Sequence, residues 1–165
     1  MVKDAESSGA RGTESSGARG TTYRVVGQSA ASPEKVFEIL ADGAGWSRWA
    51  GPMIVKSWWE REGKPAPGGV GAIRALGLKG LGSREEILVY DPPTHHAYTI
   101  LSGLPVRAYR ADVRLTPDNG GTRIEWSGTF TPKLPGTGAA LKLFLRSTIS
   151  SFVRRLARYA EQQSK

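Results

Sequence analysis

Residues 140–163, ALKLFLRSTISSFVRRLARYAEQQ, decide how the rest of the chain is read. Leu141, Phe144, Leu145, Thr148, Ile149, Phe152, Val153, Leu156 and Ala160 recur at i, i+3, i+4 and i+7. That spacing places one broad apolar stripe along a single helix. Lys142, Arg146, Arg154, Arg155 and Arg158 take the opposite face, and no acidic residue interrupts the run before Glu161. The pattern predicts a helix from about Thr137 to Gln163, roughly 40 Å long at about 1.5 Å per residue. Such a helix cannot cover its own stripe. It needs a sheet wide enough to receive it.

The preceding chain reads as that sheet. YRVVGQSA, from Tyr23, has the β-branched mix of a first strand. Ser32-Pro33-Glu34-Lys35 then starts a helix, with a Ser cap, Pro at the first helical position and acid in the first turn. Val36, Phe37, Ile39 and Leu40 form its buried side, and Asp42-Gly43 ends it. GAGWSRWAGP follows as a short helical or turn-like piece that brings Trp46 and Trp49 to one face. From Ile54 onward six strand-length runs follow: IVKSWWERE, GVGAIRALGL, SREEILVYD, HAYTILSG, RAYRADVRLT and TRIEWSGTF. Turn chemistry separates them at Pro65–Gly69, Gly80-Leu81-Gly82, Asp91-Pro92-Pro93, Gly103-Leu104-Pro105 and Asp118–Gly121. Tyr109, Ala111, Val113 and Leu115 alternate with Arg110, Asp112 and Arg114, and Ile124, Trp126 and Phe130 oppose Arg123, Glu125 and Thr129. Alternation of this kind marks a sheet with one wet and one covered face. Connections this short imply antiparallel neighbours.

At 165 residues there is room for one domain with a real core and a tail. Residues 6–21 repeat ESSGARGT twice without a change and hold no large apolar group. The expected division is therefore a disordered tail over 1–21 and a single domain over 22–165. Cysteine is absent, which excludes disulfides and thiolate metal sites. No apolar run resembles a signal peptide or a membrane span, and the expected location is the cytoplasm. The net charge of +8 is partly the solvated face of the last helix. It leaves an anionic membrane surface or a macromolecular partner open.

The motifs that promise chemistry are weak. GGVGAIR lacks the last glycine of a dinucleotide loop and opens a strand instead of a helix, so it reads as a tight turn. His95 and His96 are adjacent, face opposite sides of any strand and have no further ligands near them in sequence. They read as a surface pair ahead of a strand, and no metal or cofactor is expected. Five tryptophans are many for such a domain. Trp126 and one of Trp58 and Trp59 suit a core, and the others suit either a core or the wall of an apolar cavity. Arg74 and the run Arg84-Glu85-Glu86 suggest an Arg–Glu pair across neighbouring strands. On the rim it would be solvated. Turned inward, Arg74 with Glu86 could orient a ligand carbonyl or carboxylate.

Taken together, SPEKVFEILAD, the W-x-x-W piece, GVGAIR with REEI and YDPP, HHAYTI, GTRIEW ending in TFTP, and the long last helix resemble a known family over residues 22–160. It is the START/Bet v 1-like (SRPBCC) helix-grip superfamily, in its polyketide cyclase/dehydrase and lipid-transport group. The resemblance implies an α+β fold in which a curved seven-stranded antiparallel sheet wraps a long C-terminal helix, with two short helices between strands 1 and 2. It also implies a cavity between sheet and helix for a small hydrophobic ligand, a lipid, polyketide or similar molecule. Carried over by position, the sheet would contribute Trp58, Arg74, Glu86, Tyr98, Tyr109 and Trp126. The helix would contribute Leu141, Phe144, Leu145, Thr148 and Phe152, and Trp46 and Trp49 would stand near the mouth. A binding protein is the leading expectation. The alternatives are a cyclase/dehydratase, for which Arg74, Glu86, Tyr109 and His96 are the polar candidates and no catalytic pair is evident, and an interaction module using the basic face. The sheet lacks the aromatic-plus-basic pattern of single-strand RNA readers, so nucleic acid is disfavoured.

Overall fold

The computed structural model describes residues 20–78 and 81–165. Strand β1 spans Thr21–Ser29, helix α1 Pro33–Ala41, and a 3₁₀ helix Gly43–Arg48. Then come β2 (Lys56–Arg61), β3 (Ile73–Leu78), β4 (Leu81–Asp91), β5 (His95–Ser102), β6 (Val106–Asp118) and β7 (Gly121–Pro132), and α2 (Gly138–Gln162) closes the chain. All seven strands form one antiparallel sheet in the order β1-β7-β6-β5-β4-β3-β2. This is the helix-grip α+β architecture expected. The duplicated ESSGARGT unit lies largely outside the described residues, and β1 already begins at its last residue, Thr21.

Local chemistry explains the elements. Ser32 caps α1 by accepting a hydrogen bond from the Lys35 amide, with Pro33 at the first helical position. The Asp42 side chain then accepts from the Gly45 amide and opens the 3₁₀ helix. In the β6–β7 hairpin Asp118 pairs with Gly121, and Asn119 and Gly120 both have positive φ, at 49° and 78°. That backbone suits the right-handed twist of the flanking strands and favours Asn-Gly. At Gly80-Leu81-Gly82 the strand runs further than the turn signal suggests, since Leu78 pairs with Leu81 and Gly77 with Gly82.

Helix α2 lies across the concave face. Leu145, Ile149, Phe152, Val153, Leu156, Ala157 and Ala160 are its buried residues. It packs tightly on β1 at Gly27, where a β-carbon would run into the Val153 side chain. The Ser29 hydroxyl donates to the Ala157 carbonyl at 3.0 Å, and the Ala30 amide to Glu161 Oε1 at 2.9 Å. On the outer face charges pair across strands, Arg24 with Glu125, Arg61 with Glu86, Arg84 with Glu60 and His95 with Asp112, and Asp112 also pairs with Arg110 along β6. No described helix is long and apolar enough to cross a membrane.

Candidate functional site

Between α2 and the concave face lies a cavity of about 220 Å³ that opens to solvent past the half-exposed Met53 and Phe144. Strand alternation sends Leu76 from β3, Ser83 and Glu85 from β4, Tyr98 and Ile100 from β5 and Tyr109 from β6 into it. Helix α2 adds Phe144, Leu145, Thr148, Ile149 and Phe152, and Trp46 closes the inner end. Seven of the residues expected in a ligand site therefore line one wall: Trp46, Tyr98 and Tyr109 with Phe144, Leu145, Thr148 and Phe152.

Other expected residues are elsewhere. Trp58 points outward and is 47% exposed, while its neighbour Trp59 turns in. The Trp59 ring occupies the space where a β-carbon on Gly43 or Gly68 would lie, 2.6 and 3.0 Å away. Trp49 and Trp126 are buried behind the cavity, and Leu141 is only half-buried and outside its wall. Trp46 and Trp49 do not stand at the mouth. The 3₁₀ helix folds them inward, where Trp46 Nε1 donates to the Leu40 carbonyl at 2.9 Å and its ring meets Trp126 and Phe152 edge-on.

The ionic pair is the main correction. The β3–β4 register sets Arg74 opposite Glu85 and Ile73 opposite Glu86. Arg74 therefore pairs inward with Glu85, while Glu86 faces out to Arg61 at 2.9 Å. Arg74 is wholly buried and Glu85 nearly so. The guanidinium lies over two rings, 4.1 Å from the Trp46 centroid and 4.7 Å from that of Tyr98, where cation–π attraction offsets part of its lost hydration. Arg74 itself is not in the cavity wall; Glu85 is.

Around the pair stand three phenols. The Tyr23 and Tyr109 hydroxyls are hydrogen-bonded to each other, and Trp126 Nε1 donates to the Tyr98 hydroxyl at 3.3 Å. Tyr23 reaches Tyr109 because Gly128 has no side chain where its ring passes. Burial first, then neighbouring phenols and the Glu85 charge, hold Tyr98 and Tyr109 well above the usual tyrosine pKa. His96 is no surface residue. It is fully buried in β5 among Phe37, Tyr90 and Tyr98, with neither ring nitrogen hydrogen-bonded. Burial, reinforced by the charges of Arg74 and His95, lowers its pKa to about 3. His95 faces the other way, onto Asp112.

Glu85 thus takes the inward place expected of Glu86, and His96 is interior where a surface residue is expected. The signal was parity, which becomes readable only once register is known: a bulge between Ile87 and Val89 shifts the β4–β5 pairing and sets Tyr90 opposite His96. A wider depression of about 440 Å³ beside α1 is lined by Lys35, Glu38, Asp42 and Arg48, which already pair with one another. No cluster of metal-ligating side chains occurs among the described residues.

Comparison with known proteins places this geometry. Uncharacterized proteins of Mycobacterium tuberculosis H37Rv and Mycobacterium bovis are each 34% identical over 139 residues, spanning 80% of this chain and 80% of theirs. A START superfamily protein from Mycobacterium smegmatis superposes with a TM-score of 0.70 at 18% identity, over 86% of this chain and 98% of its own. Ara h 8.0201 superposes at 0.68 and 20% identity, over 86% and 97%. The family described as polyketide cyclase/dehydrase and lipid transport matches residues 20–161. With that match spanning the whole sheet and nearly all of α2, the chain belongs to the polyketide cyclase/dehydrase and lipid-transport family.

Proposed function

We propose that the protein binds a small hydrophobic ligand, a lipid, polyketide or similar molecule, in the cavity between the sheet and α2. The observation that carries this reading is the cavity itself, about 220 Å³ of space with a largely apolar wall between sheet and helix. An apolar cavity of about 150 Å³ suffices for benzene, and sites for drug-sized molecules run from about 300 Å³ upward. The space here suits a ring system or a stretch of acyl chain, with the remainder leaving past Met53 and Phe144. Burying about 200 Å² of apolar ligand surface is worth about 5 kcal/mol at ~25 cal/mol per Å², before the costs of immobilisation. The exposed cations Lys142, Arg146, Arg154, Arg155 and Arg158 pair with no carboxylate among the described residues. They would favour contact of a cytoplasmic carrier with an anionic bilayer, an attraction that salt screens.

A catalytic reading, cyclisation or dehydration in the same cavity, has one observation in its favour: Glu85 shares the wall with the Tyr98 and Tyr109 phenols. Burial holds both phenols still further from ionisation than an ordinary tyrosine, which disfavours them as bases and leaves Glu85 as the candidate base. Binding requires no such step and stands first. Native against denaturing mass spectrometry of freshly purified protein tests it, with an added mass lost on denaturation as the expected result. Bare protein, together with unchanged tryptophan emission on titration with fatty alcohols, esters, acids and aromatic polyketides, overturns it, since Trp46 lies in the wall.

A further inference from the structure

Among the described residues Glu85 is the one charged side chain in the cavity wall. Its counter-ion stands behind it, because Arg74 is fully buried and held over the Trp46 and Tyr98 rings. Arg74 Nε and Nη2 both approach the same carboxylate oxygen, Oε2, at 2.8 Å. The other oxygen, Oε1, has only a long contact from the Ser83 hydroxyl, at 3.4 Å. A carboxylate oxygen accepts about two hydrogen bonds, so Oε1 has capacity to spare. Of the other polar groups nearby, Trp46 Nε1 donates to the Leu40 carbonyl, the Tyr109 and Tyr23 hydroxyls bond to each other, the Tyr98 hydroxyl accepts from Trp126 Nε1, and Arg74 Nη1, behind the carboxylate, has no hydrogen-bond partner.

We infer that the site selects ligands with an uncharged hydrogen-bond donor at the buried end, an alcohol or a phenol, and rejects carboxylates such as free fatty acids. The inference rests on the binding reading above and names the ligand class for it. A hydroxyl donating to Oε1 makes a charge-assisted bond in a nearly dry site. A carboxylate in the same place puts two like charges together with the cation on the far side, so one of them must take up a proton. The preference is opposite to the one suggested by Arg74 alone, and it follows from which member of the pair the register turns toward the ligand.

The test uses three probes with one chain length: 1-decanol, methyl decanoate and decanoate, titrated against the full-length protein at neutral pH by calorimetry or tryptophan emission. Decanol is expected to bind at least about tenfold more tightly than decanoate, the scale of one charge-assisted hydrogen bond, with the ester, which accepts but does not donate, between them. Glu85→Gln is expected to narrow the gap, mainly by improving decanoate. Decanoate binding as well as decanol overturns the inference and leaves the cavity reading standing. Failure of all three to bind overturns the cavity reading, and the inference with it. Should Glu85→Gln not fold, the double variant Arg74→Met/Glu85→Leu replaces the pair with apolar groups, an exchange proteins often tolerate. Loss of decanol's advantage over the ester is the expected result there; its persistence assigns the selectivity to another group and overturns the inference.

Discussion

The two halves of α2 meet very different surroundings. Beyond Phe152 the helix is sealed: Phe152, at the boundary, packs on Trp46, Trp49 and Trp126, Leu156 and Ala160 are fully buried, and Ser29 and Ala30 hydrogen-bond to its last turns. From Gly138 to Thr148 only Leu145 is buried, and Leu143 and Phe144 are 72% and 46% exposed. One helix, with one apolar stripe, thus serves as core at its C-terminal half and as cavity wall at its N-terminal half. The wide rings of Trp46 and Trp126 make the difference. They fill the gap between sheet and helix at one end, and the residues facing Phe144 leave it open at the other.

Truncation at the two ends separates these roles. Trp126→Ala, in the sealed half, is expected to cost about 3–5 kcal/mol, read from urea unfolding. A loss under about 1 kcal/mol would show that this end is not the dry core described. His96, also in the packed interior, is the pH-dependent part of that half. Its pKa falls from 6.5 unfolded to about 3 folded, so between those values the unfolded chain binds a proton that the native state refuses. Stability is therefore whole above the unfolded pKa and declines as pH falls, by about 2 kcal/mol from pH 7 to pH 5. His96→Leu should flatten that slope in pH-dependent unfolding, and an unchanged slope would assign it to other groups. Asp112, whose pKa is lowered chiefly by Arg110, contributes only at more acid pH. Phe144→Ser should have the smallest effect on stability, under about 1 kcal/mol, while weakening binding of decanol several-fold in the same titration. Unaltered affinity would remove the open half of α2 from the ligand site.

Much of the site was legible in order, but not in depth. The stripe from Phe144 to Phe152 and the alternation of Tyr109, Ala111 and Val113 announce which residues face inward, because periodicity and facing are the same property. Glu85 against Glu86, and Trp58 against Trp59, are adjacent pairs for which alternation requires a split and says nothing about which member turns in. His96 illustrates the same limit. Its sequence neighbourhood of turn residues suggests a surface, and only pairing of Tyr90 with His96 reveals an interior position.

By itself the sequence determined the element order, the antiparallel hairpins, the caps, the inward faces of β6 and β7, and the family's outline. These follow from local rules of spacing and turn chemistry acting over a few residues. Tertiary structure alone decided that Arg74 answers Glu85, that Glu85 and not Arg74 meets the cavity, and that the tryptophans seal one end while the other stays open. Each of these depends on strand register and on how wide side chains share one volume, and such facts arise only when residues distant along the chain are brought together.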